Sequence, residues 1–415
     1  MRHPRILAIV LAGGQGSRLD VLTRERAKPA LPVAGIHRLI DVPLTNLQYS
    51  DLQDVIISAQ YHTSTLAEVV ADGRPYDLDR TRGGLRIEGP QEGRSVERSG
   101  FSSGNADALL KLRPQIRAYA PDALLVLSAD HVYRLDYRDA VQTHLDAGAA
   151  CTIVTTDLSK TEAVHHATVM TEGASPEVQA GARVTDWAYK PSDPQTSVVA
   201  TEIFVYDPGI LLETLAELHV ENGPDADAGD TGLGDFGEQL VPRLIAEHTV
   251  VAHPLPGYWR DAGRPDSYLR LHRDLIAGRV DLFTDPTHPV LGLAPTGLPG
   301  LILPGARVED SLVSPGCDVA GTVVRSVLGP GVHVAAGAQV VDSVLFAGVH
   351  VHQDAFVGTC IVDDDVRIET GARIGVESGT RLPRHADIGL VGRDSVIGAG
   401  VTLGAYARLE PGTTA

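Results

Sequence analysis

The feature that most constrains the fold is a six-residue period in the C-terminal quarter of the chain. Apolar residues recur at every sixth position in three separate stretches: Val334, Val340 and Phe346; Val362, Ile368 and Ile374; and Val391, Ile397, Leu403 and Leu409. This period is typical of a parallel β-helix, in which each six-residue unit forms one short face and its apolar residue points into a triangular core. A β-sandwich of valine-rich strands is the alternative, but three stretches that keep one period favour the β-helix.

The first two thirds of the chain alternate between strand and helix patterns. Segments 5–11, 54–58, 123–128 and 150–155 predict strands, and 106–119 and 137–147 predict helices, the first of which Pro114 is expected to kink or split. This alternation predicts a Rossmann-like α/β domain with a mainly parallel sheet and helices on both faces. Ligands bind beyond the carboxyl ends of such strands, which is where Gly13, Gly14 and Asp130 fall.

The domain boundaries are predicted from a change in composition. Proline and glycine are frequent in segment 286–304, which is therefore assigned as a linker. The α/β domain then comprises residues 1–285 and the β-helix residues 305–415. A length of 415 residues agrees with two to three domains, at roughly 150 residues each.

Charge and cysteine usage exclude several classes of function. The chain has 53 acidic and 35 basic residues, for a net charge of −18, and no basic run resembles a nucleic-acid footprint. No apolar run approaches the roughly 20 residues that a membrane helix requires, so no membrane association is expected. The three cysteines are widely spaced without a CxxC pair, which favours a reducing, cytoplasmic compartment.

The strongest chemical signal is the motif LAGGQGSRL at 11–19, followed by RAKPA at 26–30. Glycines after a strand let backbone N–H groups approach a phosphate chain. Arg18 offers a guanidinium fork for phosphate oxygens, and Lys28 offers a compact second cation. The glycine spacing matches neither the Rossmann GxGxxG pattern nor the Walker pattern.

This combination resembles the sugar-1-phosphate nucleotidylyltransferases, and within them the glucose-1-phosphate adenylyltransferases. Further matching segments follow in the family's order: SAQY at 58–61, GNADA at 104–108, SADH at 128–131, KP at 190–191, DFG at 235–237 and YWRDAG at 258–263. The resemblance spans nearly the whole chain, because the hexapeptide tail matches the family's C-terminal domain. It implies a nucleotidylyltransferase domain followed by a left-handed β-helix.

The resemblance also implies a role for each matching residue. The residues expected to bind the nucleotide are Leu11, Ala12, Gly13, Gly14, Gly16, Gln60, Gly104 and Asp130. Arg18, Lys28 and Asp130 would be catalytic, with Arg18 on the triphosphate and Lys28 at the reacting phosphates. Asp130 and Asp261 would bind Mg²⁺. Two structural alternatives remain open: Asp130 as a helix N-cap, and Asp261 as an ion-pair partner of Arg260 or Arg264.

The segments expected to contact the sugar depart from the family's pattern. The resemblance assigns the sugar phosphate to Lys190, but Tyr189 stands before it where the family usually has Glu. Glu202 is a candidate to supply the missing carboxylate from another strand. Tyr189, Lys190 and Glu202 are therefore the predicted sugar-phosphate residues. These changes predict an altered sugar preference or reduced activity, with neutral drift in a working glucose pocket as the alternative.

The predicted function is Mg²⁺-dependent transfer of an adenylyl group from ATP to glucose 1-phosphate. The products would be ADP-glucose and pyrophosphate, for glycogen or a related α-glucan. The same chemistry on another hexose 1-phosphate or nucleoside triphosphate is one alternative. A non-catalytic regulatory subunit is the other. The family precedent implies a homotetramer, or a hetero-oligomer with a homologue.

Overall fold

The structure is a computed structural model that describes residues 4–90, 102, 104–173, 178–222, 233–377, 379 and 384–415. The strands of the first domain are, in order, β1 (Ile6–Ala12), β2 (Pro32–Val33), β3 (His37–Arg38), β4 (Asp54–Ala59), β5 (Gly84–Glu88), β6 (Ala123–Ser128), β7 (His131–Tyr133), β8 (Cys151–Asp157), β9 (Thr168–Thr171), β10 (Ala182–Ala188), β11 (Val198–Tyr206), β12 (Val250–Pro254) and β13 (Trp259–Asp261). The α-helices are α1 (Asp41–Tyr49), α2 (Thr63–Val70), α3 (Asn105–Lys111), α4 (Arg113–Tyr119), α5 (Tyr137–Ala147), α6 (Lys160–Ala163), α7 (Pro208–Asn222), α8 (Leu240–Glu247) and α9 (Pro265–Ile276).

The longer strands form one sheet in the order β5-β4-β1-β6-β11-β8-β12-β10-β9. Among these described strands, β10 and β11 run opposite to the other seven, so the predicted mainly parallel sheet is confirmed. Both faces are covered. In β1, Leu7 and Ile9 pack into one apolar cluster, whereas Ala8 and Val10 pack into the other. A strand buried on both faces reads as a continuous apolar run, which is how β1 appears in the sequence.

The strand and helix predictions agree with the elements observed. The four predicted strands correspond to β1, β4, β6 and β8. The predicted helix 106–119 is split into α3 and α4 at Leu112, with Pro114 in the first turn of α4. Proline is tolerated there because the first N–H groups of a helix have no partner within the helix.

The C-terminal domain is the predicted left-handed β-helix. Three six-stranded parallel sheets form its faces in the described residues, and the first strand, Leu301–Ile302, begins a few residues before the predicted start at 305. Side chains of successive coils stack inward. On one face the buried stack is Val319, Val334, Val351, Ile368 and Ile397. The domain boundaries themselves remain a prediction.

One residue of the six-residue pattern was assigned wrongly. Phe346 does not point into the β-helix; Leu345 takes that place, in register with Val362. The corner at Asp342, where φ is 51°, makes this side one residue shorter than the period predicts. Phe346 packs instead against the first domain, with its ring centroid 6.3 Å from that of Tyr268.

A buried ion pair adds to this contact between the domains. The guanidinium of Arg26 lies 2.9 Å from the carboxylate of Asp363 and also binds Asp364.

Among the helices of the described residues, none is long and apolar enough to cross a membrane.

Candidate active site

The glycine-rich loop and Asp130 lie side by side because two neighbouring strands end together. Strands β1 and β6 are parallel, with Leu11 opposite Ser128, and the N–H of Ala129 donates to the carbonyl of Leu11 at 3.1 Å. The loop leaves β1 at this level and Asp130 follows β6. The glycine-rich loop and Asp130 therefore lie beyond the carboxyl ends of the strands, as predicted.

A two-stranded ribbon brings Asp261 to Asp130. Strands β7 and β13 pair in antiparallel fashion, which places Asp261 opposite His131. The N–H of Ala262 donates to the carbonyl of Asp130 at 3.3 Å, and the N–H of Gly263 donates to Asp261 Oδ1 at 2.6 Å. The two carboxylates that the sequence analysis assigned to one metal site are thus brought together.

Lys28 is the principal cation of this cluster, and its ammonium binds the Asp130 carboxylate. Burial alone would raise the pKa of Asp130, but the charge of Lys28, followed by that of His131, holds this pKa well below its usual range. Burial likewise opposes the ionisation of Asp261, yet Lys28 and His131 lower its pKa too. Burial would lower the pKa of Lys28, but Asp130 and Asp261 raise it. All three groups are therefore charged at neutral pH.

His131, which the sequence analysis quotes in the SADH segment without assigning it a role, is a further member of the site. Its side chain is buried, and Nδ1 donates to the carbonyl of Thr201 at 3.0 Å. Nε2 then lies 3.8 Å from Asp130, 3.8 Å from Asp261 and 3.9 Å from Glu202. Burial would lower the pKa of His131, but these three carboxylates raise it. The signal that could have found it is its position directly after Asp130.

The two carboxylates of this cluster offer the oxygen ligands that a hard cation prefers. Ligand atoms of Asp130, His131 and Asp261 lie within 4.8 Å of one another, the one such group found in the described residues. Among the described residues, Asp261 is not the ion-pair partner of Arg260 or Arg264 that the alternative required. Arg260 pairs with Glu162 and Asp274, and Arg264 pairs with Asp266. Asp130 precedes strand β7 and not a helix, so it is not an N-cap.

The remaining nucleotide candidates surround the start of the loop. A side chain on Gly13 would meet Gln60, since a Cβ built there lies 2.6 Å from Gln60 Nε2. Gln60 Oε1 accepts from the N–H of Ser102 at 2.8 Å. Gly16 follows the loop with φ 72°, directly before the 3₁₀ turn Ser17–Thr23. Gly104 precedes α3 and has no room for a Cβ against the backbone of Gly234.

The sugar candidates lie across the cleft and are linked by hydrogen bonds. Lys190 Nζ donates to the Tyr189 hydroxyl at 2.7 Å, and that hydroxyl donates to Asp235 Oδ2 at 2.9 Å. Asp235, which the sequence analysis quoted only within the DFG segment, is therefore a further member of the site. Glu202 reaches the cleft from a bulge in β11, at φ 57°. Burial raises its pKa, as do the charges of Asp130 and Asp261, although His131 acts against them.

Most of these groups share one cleft of about 210 Å³, whereas Gly16, Gln60, Gly104 and Tyr189 are not among its walls. Its walls are formed by Leu11, Ala12, Gly13, Gly14, Arg18, Lys28, Pro29, Asn105, Ser128, Asp130, His131, Lys190, Glu202, Asp235, Phe236 and Asp261. Glycines, cations, paired carboxylates and polar sugar-side groups thus line one concave surface. Such a surface can hold a polyphosphate, a divalent cation and a polyhydroxylated partner together.

Comparisons with known proteins identify the class. The family described as nucleotidyl transferase matches residues 7–278, and a family described as GlmU-like C-terminal hexapeptide matches residues 304–386. The chain therefore belongs to the nucleotidyl transferase family.

Curated relatives extend the similarity over the whole length. The glucose-1-phosphate adenylyltransferase of Acetivibrio thermocellus is 30% identical, over 100% of this chain and 95% of the relative. The enzyme of the same name from Halalkalibacterium halodurans is 33% identical, over 81% of this chain and 84% of the relative. That from Geobacillus stearothermophilus is 34% identical, over 81% of this chain and 83% of the relative.

Proposed function

We propose that this protein is a glucose-1-phosphate adenylyltransferase, which transfers the adenylyl group of ATP to glucose 1-phosphate. The single observation that supports this most is the convergence of Lys28, Asp130 and Asp261 beside the glycine-rich loop. The names of the relatives support the choice of ATP and glucose 1-phosphate. The products are ADP-glucose and pyrophosphate, which serve glycogen or another α-glucan.

The arrangement of charges suits this chemistry. A phosphate oxygen of the sugar 1-phosphate attacks the α-phosphorus of ATP, and the bond to pyrophosphate breaks. Since the attacking oxygen is already anionic at neutral pH, no strong general base is required. The barrier comes from repulsion between anions and from alignment. Lys28, at the reacting phosphates, and Arg18, along the triphosphate, offset that repulsion.

Asp130 and Asp261 are the residues that would hold Mg²⁺, because both are ionised and present oxygen ligands. When bound, the cation supplies neutralisation of phosphate charge. His131, fixed by its bond to Thr201, orients the two carboxylates. The backbone of Leu11, Ala12, Gly13, Gly14 and Gly16 cradles the phosphates, and Gln60 and Gly104 flank the nucleoside.

Lys190 holds the sugar phosphate, and its contact with Tyr189 sets its direction. Glu202 and Asp235 offer carboxylate acceptors to sugar hydroxyls. Glu202, which lines the same cleft from β11, is the carboxylate that would act in place of the one that position 189 lacks. A carboxylate supplied from another strand favours a working sugar site over a lost one. The protein is further proposed to act in the cytoplasm as a homotetramer, or with a homologue as a hetero-oligomer.

The test is pyrophosphate release by purified protein with Mg²⁺, ATP and a panel of hexose 1-phosphates. We expect release with glucose 1-phosphate and its loss in Asp130→Asn. An exposed aspartate of the β-helix, Asp354, provides the matched control Asp354→Asn, which should keep full activity. Release with another sugar only would keep the mechanism and change the substrate. No release with any sugar or nucleoside triphosphate would leave the regulatory-subunit alternative, tested by mixing with an active homologue.

A further inference from the structure

A second cavity borders the candidate cleft at Arg18. Arg18 lines both, and the second cavity is walled by Arg264 and His165 on one side and by His385 and Tyr406 of the β-helix on the other. It opens where the two domains meet. Arg18 is thus the residue that the cleft of Asp130 and Lys28 shares with the cavity of Arg264.

Gly263 packs closely against the two cations of the cleft, Lys28 and Arg18. A Cβ built on Gly263 would lie 2.5 Å from Lys28 Nζ and 3.2 Å from Arg18 Nη2. Arg264 is the next residue and directly precedes α9. The chain thus delivers a third cation immediately beyond the two that the proposed function uses.

Arg264 has donors available for an anion. Its Nη2 donates to Asp266 Oδ2 at 3.0 Å, and its side chain is 27% exposed. An arginine carries five N–H donors, so the bond to Asp266 uses only a fraction of them. Burial lowers the pKa of His165 and the charge of Arg264 lowers it further, so this imidazole is neutral at neutral pH.

The other carboxylate of the cavity is already neutralised. Asp20 lies 3.3 Å from Arg24 and 3.4 Å from Arg408. Its charge therefore has partners other than Arg18 and Arg264. Both guanidiniums line the cavity, Arg18 from the 3₁₀ turn Ser17–Thr23 and Arg264 from the residue before α9.

We propose that Arg264, with His165, forms a subsite for the terminal phosphates of the triphosphate and hence for the pyrophosphate that leaves. This rests on the proposed function, which places the reacting phosphorus at Lys28 and Asp130. The β- and γ-phosphates of the triphosphate then extend past Arg18 toward Arg264. A guanidinium binds phosphate oxygens through two parallel N–H bonds, which makes Arg264 a pyrophosphate-positioning residue.

The test measures binding and not turnover. Inorganic pyrophosphate with Mg²⁺ is titrated calorimetrically into the full chain and into Arg264→Ala, Arg264→Lys and Arg279→Ala. Arg279 is the matched control, because it pairs with Asp274 near the opposite end of α9 and lines neither cavity. Thermal unfolding verifies that each variant is folded.

We expect Arg264→Ala to raise the Kd for pyrophosphate about tenfold, the usual effect of losing a hydrogen bond to a charged group. Arg264→Lys should recover only a fraction of the affinity, because lysine keeps the charge without the fork. Arg279→Ala should leave the Kd unchanged. Equal Kd values for Arg264→Ala and the unaltered protein would overturn the subsite, as would equal weakening by Arg279→Ala or an unaltered protein that binds no pyrophosphate.

The two proposals fail in different ways. If the unaltered protein transfers adenylyl groups while Arg264→Ala binds pyrophosphate normally, the subsite is wrong and the function stands. If Arg264→Ala weakens pyrophosphate binding but no sugar 1-phosphate is a substrate, the subsite stands and the function is wrong.

Discussion

The two sides of the cleft are built differently. The phosphate half, defined as Arg18, Lys28, Asp130 and Asp261, has a buried core in which Lys28 touches Asp130 directly. The sugar half is defined as Tyr189, Lys190, Glu202 and Asp235, and hydrogen bonds join Lys190, Tyr189 and Asp235 in a chain. Lys190 and Glu202 also adopt left-handed backbone conformations, with φ of 47° and 57°. Such conformations are costly for residues other than glycine.

Under the proposed function, this difference separates reaction from recognition. Charges in contact inside a buried cluster cannot be exchanged singly, because each removal leaves an unpaired charge. Hydrogen-bonding groups that are only partly buried, as Tyr189 and Asp235 are, can be exchanged more cheaply, since water replaces a lost partner. The phosphate half matches the family's motifs, whereas in the sugar half Lys190 and Asp235 match them and positions 189 and 202 depart from them. Substitutions in the two halves should therefore have different kinetic signatures.

The largest effect is expected from Lys28→Met. Loss of a cation at the reacting phosphates should lower kcat by about 10²–10³-fold, and equally for every sugar 1-phosphate tested. Steady-state kinetics on the sugar panel measure this, and Lys28→Arg, which keeps the charge, should retain more activity. A loss confined to one sugar would contradict the division into halves.

Glu202→Gln should act on recognition. Replacing the carboxylate by an amide of the same shape should raise the KM for the sugar 1-phosphate about tenfold, with less effect on kcat, because a hydrogen bond to a charged group is weakened. The KM for ATP should not change. If kcat falls as far as in Lys28→Met, Glu202 belongs to the phosphate half.

Tyr189→Phe should have a smaller effect in the same direction. The hydroxyl links Lys190 to Asp235, so its removal loosens both without removing either charge. We expect the KM for the sugar 1-phosphate to rise about 3–5-fold, which corresponds to roughly 1 kcal/mol. Tyr49→Phe is the matched control, since the Tyr49 hydroxyl bonds the carbonyl of Pro289 far from the cleft. An equal change in the control would dismiss the hydrogen-bonded chain as the cause.

His272 lies outside both halves and should affect stability alone. It is buried, and burial lowers its pKa to about 4 from a usual value near 6.5. As pH falls, the unfolded chain takes up the proton first, so stability present above about pH 6.5 is lost toward pH 4, by about 3 kcal/mol. Chemical unfolding measured across this pH range should show that the free energy of unfolding depends less steeply on pH in His272→Gln. An unchanged pH dependence of the free energy of unfolding would mean that other groups govern the acid sensitivity. Any pH profile of activity should be compared with this pH dependence of stability.

Much of the fold could be predicted because its signals are local. Alternation of strand and helix patterns located β1, β4, β6 and β8, and the six-residue period located the β-helix. The period failed at Phe346, where a corner one residue shorter turns Leu345 inward. The same shorter side recurs in the neighbouring coils, between Val323 and Leu328 and between Val357 and Val362, so the six-residue period is only an average over the three sides. The antiparallel strands β10 and β11 were not predicted, because strand direction depends on distant partners.

The sequence alone determined the class of fold, the phosphate loop and Asp130, because each is set by residues close together in the chain. Glycines after a strand, a carboxylate at a strand end and a six-residue period all act through local backbone geometry. Only the tertiary structure decided which residues that are far apart in the sequence come together. The pairing of β7 with β13 places Asp261 beside His131. Asp235 bonds to Tyr189, and Arg264 lines the same cavity as Arg18. These contacts depend on strand register and domain packing, which form only when the whole chain folds.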